Sequence, residues 1–149
     1  MIRTAVAVWK GGPMIGEGQV STSSGVLSNA LYAAGSSTGN EPCTSPSEML
    51  AAAVASCTSL MVVQEMYREG MKPQLVKTES VLTLEEKKGQ WEITGIDSNI
   101  MVDLPGASEK KVQHAATMAK SKCPITRALK VPVNVKAKVQ AVEAEVVAA

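Results

Sequence analysis

The sequence contains no phenylalanine, and its only aromatic residues are two Trp and two Tyr. A hydrophobic core must therefore be built from Val, Leu, Ile, Met and Ala. Surfaces that stack nucleic acid bases are not expected, because aromatic side chains build them. An excess of charge of one sign is also lacking, since 15 Lys and Arg stand against 14 Asp and Glu. Neither nucleic acid nor an anionic membrane is therefore indicated as a partner.

Cysteine and histidine are scarce. The three cysteines, Cys43, Cys57 and Cys123, are odd in number and too few to cross-link a secreted scaffold. Thiol chemistry is the better interpretation. His114 is the only histidine, and with three scattered cysteines it has no spacing typical of a zinc site. We therefore expect neither a metal nor a bound cofactor.

Neither a secretion signal nor a membrane span is expected. Residues 1–9 alternate like a strand and lack an apolar stretch followed by a small-residue cleavage site. The longest apolar run, Met49 to Val63, is interrupted by polar residues and falls short of the ~20 residues that cross a bilayer. We expect a cytoplasmic protein with one domain spanning residues 1–149, in which this run forms a buried helix.

The N-terminal third is expected to be β-structure. Alternating apolar and polar residues predict strands over 2–9 and 17–32, with a turn at 11–13 and a hairpin at 23–25. Residues 33–45 are rich in Gly, Ser, Thr and Asn and predict a loop beside a functional site.

A central helix has clear start and stop signals. Ser45 is a natural N-cap, Pro46 suits the first helical position, and Glu48 completes a capping box. The helix should run to about Glu69 and end at Gly70 in the left-handed conformation. Its first half is apolar on every side, as in a helix surrounded by protein. A partner subunit is the simplest wrapper, so we expect a homodimer.

The second half of the chain predicts further strands and two helices. The expected elements are strands over 75–86 and 90–104, helices over 108–121 and 124–129, and a final strand from Val131 to Val139. Apolar parity switches near Gly95, which indicates a β-bulge. The first of these helices has an apolar face formed by Val112, Ala115, Ala116 and Ala119. Pro132 places the final strand at a sheet edge.

Cys57 is interpreted from its neighbours as a core cysteine. It shares a helical face with four apolar residues, Leu50, Ala53, Leu60 and Met61. Apolar burial raises the pKa of a thiol and makes it inert.

Cys123 has a different environment. Pro124 directly after it is placed to begin a helix, which puts Cys123 at an N-cap, where helix N–H groups favour the thiolate. Positive charges lie nearby in sequence at Lys120, Lys122 and Arg127. Cys123 can therefore be reactive, and a reversible disulfide with Cys57 requires the fold to bring the two together. Cys43 is expected to be an exposed thiol.

Three segments resemble the OsmC proteins and their organic-hydroperoxide-resistance relatives, the Ohr proteins. They are residues 18–27, residues 45–53 leading to Ser56 and Cys57, and residues 123–125. The resemblance extends over nearly the whole chain. It implies an α+β fold of the OsmC/Ohr type, an intertwined homodimer with two long central helices wrapped by β-sheets.

The resemblance also implies chemistry. Cys57 would attack an organic hydroperoxide and become a sulfenic acid, which would condense with Cys123 to a disulfide. An external dithiol such as a lipoyl group would then reduce the pair. An apolar wall of Leu50, Val54, Leu60 and Met61 suits a hydrophobic peroxide.

Two family positions differ here. Ser37 stands where an Arg that stabilises the thiolate is expected, and Ser47 stands where the acidic partner of that Arg is expected. Arg127 substitutes only if the fold turns it toward Cys57. Two alternatives to peroxidase activity therefore stay open: a protein that binds a small apolar molecule, and a redox sensor that signals through the Cys57 and Cys123 pair.

Overall fold

The computed structural model describes residues 1–13, 15–33, 37–38 and 41–141. Within these residues the elements in order are β1 Ala5–Lys10, β2 Glu17–Thr22, β3 Ala30–Tyr32, β4 Ser37–Thr38, β5 Glu41–Pro42, α1 Pro46–Arg68, β6 Leu75–Lys87, β7 Gln90–Asp103, α2 Glu109–Lys122, α3 Pro124–Ala128 and β8 Val133–Val139. The chain packs as two compact units, Met1–Leu50 and Ala51–Ala149.

The first unit contains a three-stranded antiparallel sheet in the order β1-β2-β3. Gly18 pairs with Trp9 on one side and with Tyr32 on the other. A Cβ atom at Gly18 would lie 2.4 Å from the Tyr32 ring, so only glycine fits there. The two aromatic rings lie with centroids 5.8 Å apart. The predicted N-terminal strands and hairpin are confirmed in kind, but β1 begins at Ala5 and the connection between β2 and β3 extends over 23–29 instead of 23–25.

The expected loop over 33–45 contains a small ribbon that the sequence did not indicate. In it, β4 and β5 pair in antiparallel fashion, with Ser37 opposite Pro42 and Thr38 opposite Glu41. Strands of two residues are too short to show the alternation by which strands are recognised. The other parts of the expected loop, 34–36 and 39–40, lie outside the described residues.

Both ends of α1 are capped as predicted. The Ser45 N–H donates to Glu48 Oε2 over 2.9 Å, and the Glu48 N–H donates to Ser45 Oγ over 3.2 Å, which completes the capping box. At the other end, Gly70 has a φ of 75°. The Met71 N–H donates to the Met66 carbonyl over 2.9 Å, as in a Schellman motif.

The apolar run in α1 extends into a helix of 23 residues. By length and composition alone, α1 could cross a membrane, and the core helix of a folded protein passes the same test. The expectation that this helix is too short to cross a membrane was therefore wrong, because the helix continues past Val63 to Arg68. The expected burial holds for one face, formed by Val54, Thr58, Val62, Glu65 and Met66.

In the second unit, β7 lies between its two sheet neighbours. It pairs with β6 in antiparallel and with β8 in parallel orientation, which leaves β8 at an edge as predicted. The predicted bulge is confirmed next to Gly95. Thr83 pairs with Gly95 and Leu84 pairs with Ile93, so Thr94 is the extra residue.

The core of this unit lies between α1, α2 and the sheet. Its larger cluster contains Val62, Met66, Ile100, Val102, Val112, Ala115, Ala116, Ala119 and Ala137. The predicted apolar face of α2 is therefore confirmed. A second cluster, toward the start of α1, contains Val54, Ile96 and Val133.

Thr58 lies on α1 between the residues that belong to these two clusters. Its side chain is fully buried, and its hydroxyl has no hydrogen-bond partner among the described residues. By contrast, the Ser98 hydroxyl, which is also buried, lies 2.8 Å from the Ser80 hydroxyl. A buried hydroxyl without a partner destabilises the folded state.

Replacing Thr58 with valine should stabilise the protein. Thr58→Val keeps the shape of the side chain and removes the buried polar atom, so the free energy of unfolding should rise by about 1 kcal/mol in urea denaturation. Ser98→Ala is the matched control and should lower it, because it leaves the Ser80 hydroxyl without its partner. Equal losses in both variants would contradict the assignment.

Candidate functional site

The fold brings together two cysteines that lie 66 residues apart. Cys57 is half-buried in the middle of α1, and Cys123 is fully buried between α2 and α3. Their Sγ atoms lie 2.7 Å apart. This is longer than a disulfide bond of about 2.05 Å, so the two are thiols in direct contact. We call Cys57 and Cys123 the thiol pair.

The position of Cys123 follows from the residue after it. Pro124 disfavours the helical conformation for the residue before it, and Cys123 has φ −63° and ψ 120°, which is extended. Cys123 thus ends α2 and begins α3: its N–H donates to the Ala119 carbonyl, and its carbonyl accepts from the Arg127 N–H. The predicted N-cap position is confirmed.

The two thiols differ in acidity. Burial is the largest influence on the pKa of Cys57 and raises it, and the hydrogen bond with Cys123 raises it further. Burial also opposes ionisation of Cys123, but hydrogen bonds from Cys57, Thr126 and the Ile125 N–H outweigh it and lower the pKa of Cys123. Thr126 and the Ile125 amide therefore favour a thiolate on Cys123, whereas burial and the hydrogen bond with Cys123 keep the proton on Cys57.

The apolar surroundings expected for Cys57 need correction. Leu60, expected on the same buried face, is 58% exposed, and the buried face of α1 runs through Val54 and Thr58 instead. Val54 is fully buried against Ile96 and Val133, so it belongs to the core rather than to the wall of an open site. An all-apolar helix has no periodicity that tells its inner face from its outer one.

The cations near Cys123 in sequence do not act on its sulfur in the described residues. Lys122 Nζ lies 2.6 Å from Glu65 Oε2 and is bound there. Arg127 is exposed and lines a groove of about 480 Å³ together with Lys120 and Ser121, and Cys57 is not among the groove residues. Arg127 therefore does not take the place of the arginine that the resemblance implies beside Cys57.

Glu65 is the residue of this region that sequence reasoning missed. Its side chain is 6% exposed, and it binds Lys122 through one oxygen and Arg68 through the other. The hydrogen bond from Lys122 is the main cause that lowers the pKa of Glu65. The sequence signal for Glu65 was its position, since it shares a helical face with Val54, Thr58 and Val62 and a carboxylate on such a face needs a cation.

The remaining candidates lie elsewhere. Cys43, expected to be exposed, is half-buried, because it follows β5 and precedes Thr44, which bridges to Tyr32. His114 is largely exposed, 3.9 Å from a Glu69 oxygen. In the described part of the chain, no three residues among His, Cys, Asp and Glu lie close enough to hold a metal.

The thiol pair should titrate in two separate steps. In reduced Cys43→Ser protein, the first thiolate should form below the ordinary thiol pKa and the second above it, as followed by ultraviolet thiolate absorbance against pH. Thr126→Val should raise the first step, because the Thr126 side chain lowers the pKa of Cys123. Thr117→Val, at an exposed position of α2, should leave both steps unchanged. A single step at the ordinary value would contradict this.

Similar proteins are found by sequence and by structure. A family model described as OsmC-like protein matches residues 38–138. Peroxiredoxin OsmC of Escherichia coli (strain K12) is 30% identical over 128 residues, which cover 86% of this chain and 90% of that protein.

Two solved structures share the fold. An OsmC-like protein of unknown function from Vibrio cholerae has a TM-score of 0.76 at 17% identity, over 93% of this chain and 99% of that chain. The organic hydroperoxide resistance protein OhrB of Bacillus subtilis has a TM-score of 0.65 at 21% identity, over 92% and 98%. Because the family model also covers both members of the thiol pair, this chain belongs to the OsmC-like family and has its α+β, OsmC/Ohr-type fold.

Proposed function

We propose that this protein is a thiol-dependent peroxidase that reduces organic hydroperoxides, with Cys57 as the nucleophile and Cys123 as the resolving thiol. The observation that carries the proposal is the 2.7 Å distance between the two sulfurs. A sulfenic acid formed on either sulfur has a thiol already within bonding reach. The relative named as a peroxiredoxin, 30% identical, supports the same chemistry.

The reaction begins with a proton transfer inside the thiol pair. Cys123 has the lower pKa and is the thiolate of the resting pair, so it is positioned to accept the Cys57 proton across the sulfur contact, in an uphill transfer that attack on the peroxide draws forward. The Cys57 thiolate then attacks the distal peroxide oxygen, the O–O bond breaks, and Cys57 becomes a sulfenic acid. The departing alkoxide takes the proton from Cys123 and leaves as an alcohol.

The second stage closes the disulfide. The Cys123 thiolate attacks the Cys57 sulfur, the S–O bond breaks, and hydroxide leaves as the S–S bond forms. An external dithiol of the lipoyl type restores both thiols by exchange and is itself oxidised to a disulfide. We place this cycle in the cytoplasm, because a reducing compartment supplies such dithiols.

Turnover of cumene hydroperoxide with a dithiol reductant tests the proposal. Cys57→Ser should abolish turnover. Cys123→Ser should form the Cys57 sulfenic acid more slowly, because it removes the base, and should stop after one equivalent, with the sulfenic acid trapped by dimedone and identified by mass spectrometry. Cys43→Ser is the control and should retain activity. Absence of turnover in the unaltered protein would reject the peroxidase.

A redox sensor is the second candidate. Besides burial, two residues change the pKa of Cys57, and they are Cys123 and Ile125. Neither carries a positive charge that would speed attack on a peroxide. A sensor would form the same disulfide once, in proportion to added oxidant, without sustained consumption of hydroperoxide. The turnover measurement above separates the two functions.

We also propose that the protein works as a homodimer. The outer face of α1 carries Leu60 and Tyr67, which are 58% and 54% exposed and lie seven residues apart on one side of the helix. Burial of such side chains stabilises association by about 1.5–3 kcal/mol each. A second copy that packs against this face would bury the apolar side chains that α1 exposes in a single chain.

Leu60→Glu should convert the dimer to a monomer, because it buries a charge in the proposed interface. Light scattering coupled to gel filtration measures the mass directly. Gln90→Glu, which adds the same charge at an exposed position of the hairpin between β6 and β7, is the control and should leave the mass unchanged. A monomeric mass for the unaltered protein would reject the dimer.

A further inference from the structure

The ion pair between Glu65 and Lys122 joins the same two helices as the thiol pair. Glu65 lies on α1 eight residues after Cys57, about 12 Å further along the helix axis. Lys122 is the last residue of α2 and directly precedes Cys123. Two consecutive residues at the end of α2 thus contact α1 at separate points, Lys122 through 2.6 Å to Glu65 and Cys123 through its sulfur.

Two contacts in different directions fix the orientation of the end of α2, which one contact would not fix. The packed apolar face of α2 ends at Ala119, and the sulfur contact alone leaves the residues after it room to shift Cys123 away from Cys57. The ion pair opposes that shift, because Lys122 points along a different direction from the following residue. The Glu65 side chain is only 6% exposed, so separating it from Lys122 would leave a poorly hydrated carboxylate with one partner fewer, which is costly.

We infer that Glu65 is a positioning residue for the thiol pair: by binding Lys122 it holds the end of α2 so that Cys123 faces Cys57. This inference rests on the proposed function for its role in turnover, but the geometric claim concerns the disulfide alone. Formation of a disulfide requires a narrow range of sulfur geometry. A held orientation raises the effective concentration of one thiol at the other.

Arg68 provides a matched control within the same carboxylate. It binds the other oxygen of Glu65 but lies on α1, three residues further on, so it does not connect α1 to α2. Removal of Arg68 takes away a neutralising charge without loosening α2. Removal of Lys122 takes away the connection, and Lys122→Arg keeps a cation of similar reach.

The test measures the equilibrium of the Cys57 and Cys123 disulfide in glutathione redox buffers, in Cys43→Ser protein and without any peroxide. Glu65→Gln and Lys122→Gln should each lower the equilibrium constant for disulfide formation at least about tenfold, a reduction potential about 30 mV less negative. Their double variant should show no further loss. Arg68→Gln and Lys122→Arg should stay close to the unaltered protein.

Loss of stability alone would not produce this pattern, because destabilisation that is equal in both redox forms leaves their equilibrium unchanged. Urea denaturation of each variant in both forms checks that equality. Folded Glu65→Gln protein with an unaltered equilibrium constant would overturn the inference. An equal shift in Arg68→Gln would also overturn it, because the effect would then come from charge and not from the connection between helices.

A peroxide arm separates this inference from the proposed function. After one equivalent of cumene hydroperoxide, Glu65→Gln should close the disulfide at least about tenfold more slowly once the Cys57 sulfenic acid has formed, and formation of that acid should slow as well, because Cys123 is the base for Cys57. If the unaltered protein forms no sulfenic acid, the peroxidase is rejected. The glutathione equilibrium still decides the positioning role, since it involves no peroxide.

Discussion

The contact between the two sulfurs depends on a break between two helices. Without Pro124, α2 would continue, and the residue at position 123 would point along the regular helical direction. Proline holds Cys123 in an extended conformation, so that it ends one helix and begins another. Thr126 and the backbone at the start of α3 then lower the pKa of Cys123. One backbone constraint thereby sets both the direction and the acidity of this thiol.

Charge around the thiol pair is arranged through hydrogen bonds rather than through cations. The lysine next to Cys123 is bound by a buried carboxylate, and Arg127 lines a separate groove. In place of a guanidinium, Cys57 has the more acidic Cys123 beside it. A base in direct contact can remove the Cys57 proton when it is needed. The pKa values of the two thiols thus depend on burial, on their mutual contact and on the start of α3.

The positions that differ from the family's pattern lie at the start of α1 and before it. Ser47 takes part in the cap, with its hydroxyl 3.0 Å from that of Ser45, and Glu48 is used by the capping box. Only the backbone of Ser37 is described, in β4. Ser47 and Glu48 therefore stabilise the N-terminal end of α1. The side chain in contact with the Cys57 sulfur is that of Cys123.

The sequence by itself determined the elements and most of their ends, because caps, turns and periodicity act over a few residues. The capping box at Ser45, the stop at Gly70, the bulge near Gly95 and the break at Pro124 are all local effects. Only the tertiary structure decided which face of α1 is buried, since an all-apolar helix does not distinguish its sides. It also decided the sulfur contact across 66 residues and the partner of Glu65. Such contacts depend on how α1 and α2 pack against each other, and patterns over a few residues do not predict the packing of two helices that lie far apart in sequence.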